Sequence, residues 1–451
     1  MPIQSVNPAN RSLQESYEPY PDEKIEAMLS QSVRTGKAWR STSIDERSVL
    51  MEACANVLTI QKKELAVMIT LEMGKPLLEA RREIEECVEI CNYFAEFSAS
   101  FLSKKRLPIE DDCFITYEPL GNILCFTDWQ YPFAYTFRMA VPALMVGNTV
   151  FNFHANNTPQ CALAIREVFR KAGFPDGVYQ AVLQEKEDVP SWVQHEKVHA
   201  VSHSGNYQMG SLLAREAGAG IKKAILDVGG ITSFLVLSDA RVEEAAGLAA
   251  RSCILNTGQS PLATKRIVIV KEHVKPFISI FKEELAVLKL GDPMDKGTDY
   301  GPLASPSLAN SLSSNIQSCI QDGARLVSGG QLDSSLGEGS FFQATVLRNI
   351  EPDMLQPGLM GPIAGIIEAR DTKDAIKKIN SSGINYGVSL WTKSKAKKKS
   401  RRLDAGVVWV NQAPTSHPAV PIQGNTQAGY SHFLSGFGLR EFAHTKTLWK
   451  K

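Results

Sequence analysis

The sequence lacks long apolar runs, a basic leader and a surplus of either charge. No stretch of about 18 apolar residues occurs, so no membrane-spanning helix is expected. Met1 is followed by Pro2 and a polar stretch, not by a basic segment and an apolar core, so no secretory signal is read there. Basic and acidic side chains number 49 and 48, a net charge of +1. That balance argues against nucleic acid as a partner, because phosphate binding needs clustered surplus charge. One basic run, Lys393 to Arg402, reads as a solvated helix face. Cysteine is present without a framework. The eight lie irregularly at 54, 87, 91, 113, 125, 161, 253 and 319, which fits free thiols in a reducing cytoplasm. Cys87 and Cys91 are four apart on a predicted helix, but no nearby His or second Cys pair completes a site, so no metal is expected.

What is present is ordinary globular composition. The chain has 451 residues, of which 43% are hydrophobic and 22% charged, enough for more than one domain. Residues 22–105 read as helices from apolar spacing of three and four, with Asp45 as an N-cap. From residue 113 short apolar runs such as Asn122 to Phe126, Thr149 to Phe153 and Ala200 to Ser202 alternate with helical stretches. A second set, from Arg266 to Val410, follows a change near Gly229-Gly230. Strands alternating with helices predict an α/β fold in two lobes with parallel-sheet cores. The extended tail Thr445 to Trp449 is suited to adding a strand to a sheet edge.

Several strings carry a family resemblance. They include Glu72-Met-Gly-Lys-Pro76, Pro119-Leu-Gly-Asn-Ile123, Ala172-Gly-Phe-Pro-Asp-Gly-Val178, Asn256-Thr-Gly-Gln259, Lys265-Arg266, Gly301-Pro302-Leu303 and Gly406 through Asn411. In this order and spacing the chain resembles the aldehyde dehydrogenase superfamily, and most closely its succinate-semialdehyde dehydrogenase branch. The resemblance implies a nucleotide-binding-type lobe over 1–105 and 121–229 and a catalytic-type lobe over 230–420. It also implies an oligomerisation hairpin and tail over 106–120 and 421–451, and hence a homodimer or homotetramer.

The family's chemistry needs a thiolate, an oxyanion-holding asparagine, a deacylating glutamate and a nicotinamide cofactor. Where the resemblance puts the thiolate, this chain has Pro261, which has neither a nucleophile nor an N–H. Ser260 is the nearest hydroxyl. Gln130 stands for the asparagine in Asp128-Trp129-Gln130-Tyr131-Pro132, and Asp227 for the glutamate. At the positions implied for cofactor contacts the chain has Phe153 for a lysine, Asn206 for a serine and Gly358 for a glutamate. No cofactor is therefore expected, with weak NAD(P) binding left open.

Packing strings are kept and chemical positions are changed. The expectation is a repurposed, non-redox enzyme acting on a small metabolite by acid/base or template catalysis in the inter-lobe cleft, by isomerisation, cyclisation or dehydration. A catalytically inactive scaffold, sensor or partner subunit is one alternative. A residual NAD(P)-dependent semialdehyde dehydrogenase is another. Candidate catalytic residues are Asp227, Gln130 and Asp128, with His203, His154 and His417 as further polar groups. The candidate substrate pocket is Tyr131, Ala134, Tyr135, Phe137, Arg138 and His417.

Overall fold

A computed structural model describes residues 2–109, 112–184, 189–355, 358–381 and 384–450. Three long helices, Asp22–Trp39, Ile44–Met73 and Leu77–Phe101, open the fold. The second starts two residues earlier than the Asp45 expectation. Ser43 is its cap: the Ser43 hydroxyl accepts the Glu46 N–H at 3.1 Å, and the Glu46 carboxylate accepts the Ser43 N–H at 2.6 Å. This reciprocal pair satisfies two orphan donors at once, which Asp45 inside the helix does not. Gly74, in the left-handed region at φ 78°, ends the helix.

Five parallel strands follow, in the order Tyr179–Val182, Thr149–His154, Asn122–Thr127, Ala200–Ser204 and Lys223–Asp227. Burial on both faces explains their continuous apolar character. The helix Pro132–Val146 packs beside this sheet with all fifteen residues buried. Its first turn is capped from outside: Glu83 accepts the N–H of Phe133 at 2.9 Å and of Ala134 at 3.1 Å. Lys75 closes an ion pair with Glu83, both fully buried.

The second sheet has seven strands. Ile231–Val236 pairs in parallel with Thr264–Val270 on one side and Asn385–Trp391 on the other. One antiparallel edge pair, Arg325–Ser328 with Thr345–Arg348, closes the far side. The lobes are thus α/β with parallel cores, as expected. A small antiparallel sheet joins the tail strand Ala443–Lys450 to Asp112–Pro119, in register from Ala443 opposite Pro119 to Lys450 opposite Asp112. Among the described residues no helix is long and apolar enough to cross a membrane. The basic run forms the short helix Ala396–Ser400, whose Lys399 pairs with Asp239 at 3.5 Å.

Candidate active site

In the five-stranded sheet, the chain leaves Asn122–Thr127 toward one neighbour and later returns to the other side through Ala200–Ser204. Loops at the carboxyl ends of those two strands therefore diverge, which opens a crevice. A cleft of about 510 Å³ lies there, walled on its other side by the loop carrying Ser260 and Pro261. The structure brings Asp128, Gln130, Tyr135, Asp227, Pro261 and Gly358 to this one cleft. Asn206 joins them from the start of the helix Tyr207–Ala219.

Asp227 ends its strand and is buried. Its carboxylate accepts the Tyr386 hydroxyl at 3.3 Å and the Gly229 N–H at 3.3 Å. Burial raises its pKa above the ordinary aspartate value, and the Arg138 charge offsets part of that. Gln130 is oriented by Tyr135, whose hydroxyl donates to the Gln130 Oε1 at 3.1 Å. That leaves the Gln130 Nε2 as a donor, 4.0 Å from the Met360 sulfur.

The Pro261 loop is held by many backbone contacts. Asn256 and Thr257 both adopt positive φ, 52° and 55°, a strained pair that its surroundings must over-determine. They do: Asn256 donates from Nδ2 to the Gln130 carbonyl at 3.0 Å, and its N–H goes to Glu79 at 2.7 Å. Thr232 donates to the Pro261 carbonyl at 2.6 Å. Lys265 reaches the carbonyls of Gly258 and Gly361, and desolvation lowers its pKa to about 8. Glu79, half-buried, is raised to about 7, with desolvation the leading cause.

Other sequence candidates lie elsewhere. Arg138 is committed to Glu86 at 2.5 Å and to Ser416 at 3.1 Å. Phe137 stacks between Phe133 and Phe169 in the core. Ala134 is buried in the same helix, and His417 is exposed on its loop. Tyr131 sits under the Lys75 ammonium, 3.8 Å from the ring centroid. His154 lies beneath the sheet against Tyr179 at 3.1 Å, and burial lowers its pKa to about 3. His203 turns one ring nitrogen to the Phe126 carbonyl and the other to the Asn206 carbonyl, at 2.8 and 3.1 Å. All eight cysteines are free and buried, and none of the residues lining the cleft is a cysteine. Burial pushes Cys253 up to about 11. Among the described residues no His, Cys, Asp and Glu cluster is suited to a metal ion. Sequence reading missed Tyr386, Lys265 and Glu79 as builders of the cleft. A conspicuous neighbour existed only for Lys265, in the Lys265-Arg266 string.

The residues present fit part of a dinucleotide. Gly205 and Asn206 form a cradle at the start of Tyr207–Ala219: a Cβ on Gly205 would come within 2.6 Å of Asp128 and 2.7 Å of His203. A Cβ on Gly358 would meet nothing within 4 Å, so that wall is open. Phe153 is buried and stacks on Phe126 at 5.3 Å.

A parallel sheet with a cleft at its switch point, faced by a second α/β lobe, is an architecture of the nucleotide-binding α/β type. The particular family is shown by comparison. The model of the aldehyde dehydrogenase family matches residues 1–448, and this chain belongs to that family. It is 33% identical to the succinate-semialdehyde dehydrogenase (NADP(+)) of Deinococcus radiodurans, over 99% of this chain and 94% of the relative. It is also 33% identical to the succinate semialdehyde dehydrogenase (NAD(P)+) Sad of Escherichia coli, over 99% and 97%. The succinic semialdehyde dehydrogenase of Streptococcus pyogenes, solved with NADP+ as the cofactor, superposes with a TM-score of 0.96 at 25% identity, covering 99% of each chain.

These relatives correct two expectations. A cofactor-free cleft and a non-redox repurposed enzyme are both overturned, because full-length relatives are dehydrogenases named for NADP or NAD(P). A dinucleotide can be gripped by backbone groups and cleft shape, so changes at Phe153, Asn206 and Gly358 do not by themselves exclude one.

Proposed function

We propose that this chain is a nicotinamide-dependent dehydrogenase of a small aldehyde of the semialdehyde class. Its cleft acts on the hydrated aldehyde rather than on a thiol adduct. The observation that carries the reading is the convergence of the Asp227 carboxylate and the Gln130 amide on one cleft beside Pro261. The full-length likeness to semialdehyde dehydrogenases supports the substrate class.

The oriented backbone at Gly205 and Asn206 and the open wall at Gly358 would hold the cofactor, which supplies a hydride acceptor when bound. This chain's residues do the rest. Gln130, locked by Tyr135, donates from Nε2 to one hydroxyl oxygen of the diol. Asp227, fixed by Tyr386 and Gly229, takes the proton of the other hydroxyl as that oxygen becomes a carbonyl. With such a hydride acceptor bound, aldehyde hydrate and oxidised cofactor would give carboxylic acid, reduced cofactor and one proton. The upward shift of Asp227 makes it a stronger base than an exposed aspartate. No thiol is needed, which accommodates Pro261 where the resemblance puts the family's cysteine.

The assembly is a homodimer or homotetramer through the tail strand. What supports this is the half-exposed Leu448 and the 66% exposed Trp449 on an edge strand.

The test is absorbance of reduced cofactor with succinate semialdehyde and NADP+. Slow turnover is expected, falling at least about a hundredfold in Asp227→Asn. A flat trace from the unaltered protein with both NADP+ and NAD+, across a set of semialdehydes, sinks the reading.

A further inference from the structure

We infer that Asp128 sets the dinucleotide affinity of this chain low, by placing its own carboxylate where the cofactor's phosphates approach the cleft. This rests on the nicotinamide-dependent reading above.

Asp128 follows directly on the strand Asn122–Thr127, is only 4% exposed and lines the cleft. Its backbone N–H is tied to the Ser204 carbonyl at 3.2 Å, which brings the neighbouring strand's end alongside. One carboxylate oxygen accepts the Trp129 N–H at 2.9 Å. The other accepts the Asn206 Nδ2 at 3.0 Å. The Asn206 amide cannot turn without loss, because its Oδ1 accepts the Met209 N–H at 2.9 Å and caps the helix Tyr207–Ala219. The carboxylate is therefore held on both oxygens against the Gly205 backbone, 2.9 Å from where a Cβ would stand.

That place is where a strand-to-helix turn in this kind of sheet meets a pyrophosphate. The helix dipole favours an anion there, and Asp128, bonded to the Asn206 side chain rather than to the helix N–H groups, already places a negative charge beside it. A second anion arriving meets a like charge in a partly desolvated cleft. The surroundings do little to compensate. Among the described residues lining the cleft Lys265 is the one basic side chain, and its ammonium is spent on the Gly258 and Gly361 carbonyls. Asp227 adds a further acid on the same cleft.

The experiment is equilibrium titration by intrinsic fluorescence, with NADP+ and with nicotinamide riboside, which carries no phosphate. The proteins are the unaltered chain, Asp128→Asn and Asp128→Ala. The alanine variant is included because an amide at 128 would set an N–H group against the Asn206 Nδ2. Melting temperature identifies which variants are folded. About tenfold tighter NADP+ binding is expected in a folded variant, with riboside affinity unchanged. In the unaltered protein NADP+ should gain little over the riboside, a comparison that needs no variant. If the unaltered protein binds NADP+ far more tightly than the riboside, or the variants bind it no better, the inference falls and the cofactor reading stands. If none of the three binds NADP+ at millimolar concentration, both fall.

Discussion

Two buried carboxylates lie close to the helix Pro132–Val146, and they are treated in opposite ways. Glu83 accepts two backbone N–H groups at the start of that helix and pairs with the buried Lys75. Asp227, at the cleft, has one phenol, one backbone N–H and the distant field of Arg138, whose own ion pair is with Glu86. The first carboxylate has its charge fully answered and serves the fold. The second is left short of partners, is raised in pKa by burial, and keeps a lone pair available for chemistry. Glu79 stands between them: half-buried, with the Lys75 charge offsetting part of its desolvation, it accepts the Asn256 N–H and rises to about 7.

The comparison breaks most visibly at Glu83. Glu83→Gln takes the ion-pair partner from the buried Lys75 ammonium and should cost about 3–5 kcal/mol, measured as a lower denaturation midpoint with an unchanged slope. A loss within a few tenths would mean the pair is not structural. Glu79→Gln should act next in size and with a pH signature. The folded-state pKa of Glu79 lies above its unfolded value, so its burial costs stability above about pH 7. That cost is relieved as pH falls from about 7 toward the ordinary glutamate range. The variant keeps an oxygen for the Asn256 N–H, so it should gain up to about 3 kcal/mol at pH 8 and almost nothing at pH 4. Equal effects at the two pH values would refute the assignment. Asp227→Asn should move stability least, within about 1 kcal/mol, while abolishing turnover. A large loss of melting temperature there would place Asp227 with Glu83 among the fold builders. In the unaltered enzyme, activity should fall as pH drops through the raised Asp227 value, because the protonated acid accepts no proton.

Much of the fold was legible because it rests on local patterns. Continuous apolar runs such as Asn122–Thr127 and Thr149–His154 became the buried parallel strands their composition predicts. The helix start at Ser43 was misplaced onto Asp45 because either residue type caps. Only the return bond from Glu46 distinguishes them. At the site, Asp128, Gln130, Asp227 and Tyr135 did meet in one cleft. Arg138 reads as a free anchor in the sequence, and its partner Glu86 lies 52 residues away on another helix. Tyr386 is 159 residues from Asp227 and had no local signal at all. The absence of one sulfur at position 261 does not set the reaction, since a cofactor cleft is built from backbone and shape as much as from named side chains.

By itself the sequence determined the alternation of strand and helix, the family, and the presence of a ring imino acid at position 261, because each is written in composition and spacing over a few residues. Which acids are silenced and which stay reactive was decided only in three dimensions. Burial and pairing are properties of neighbours far apart along the chain, and the energy of a charge in a protein depends on those neighbours rather than on its own side chain.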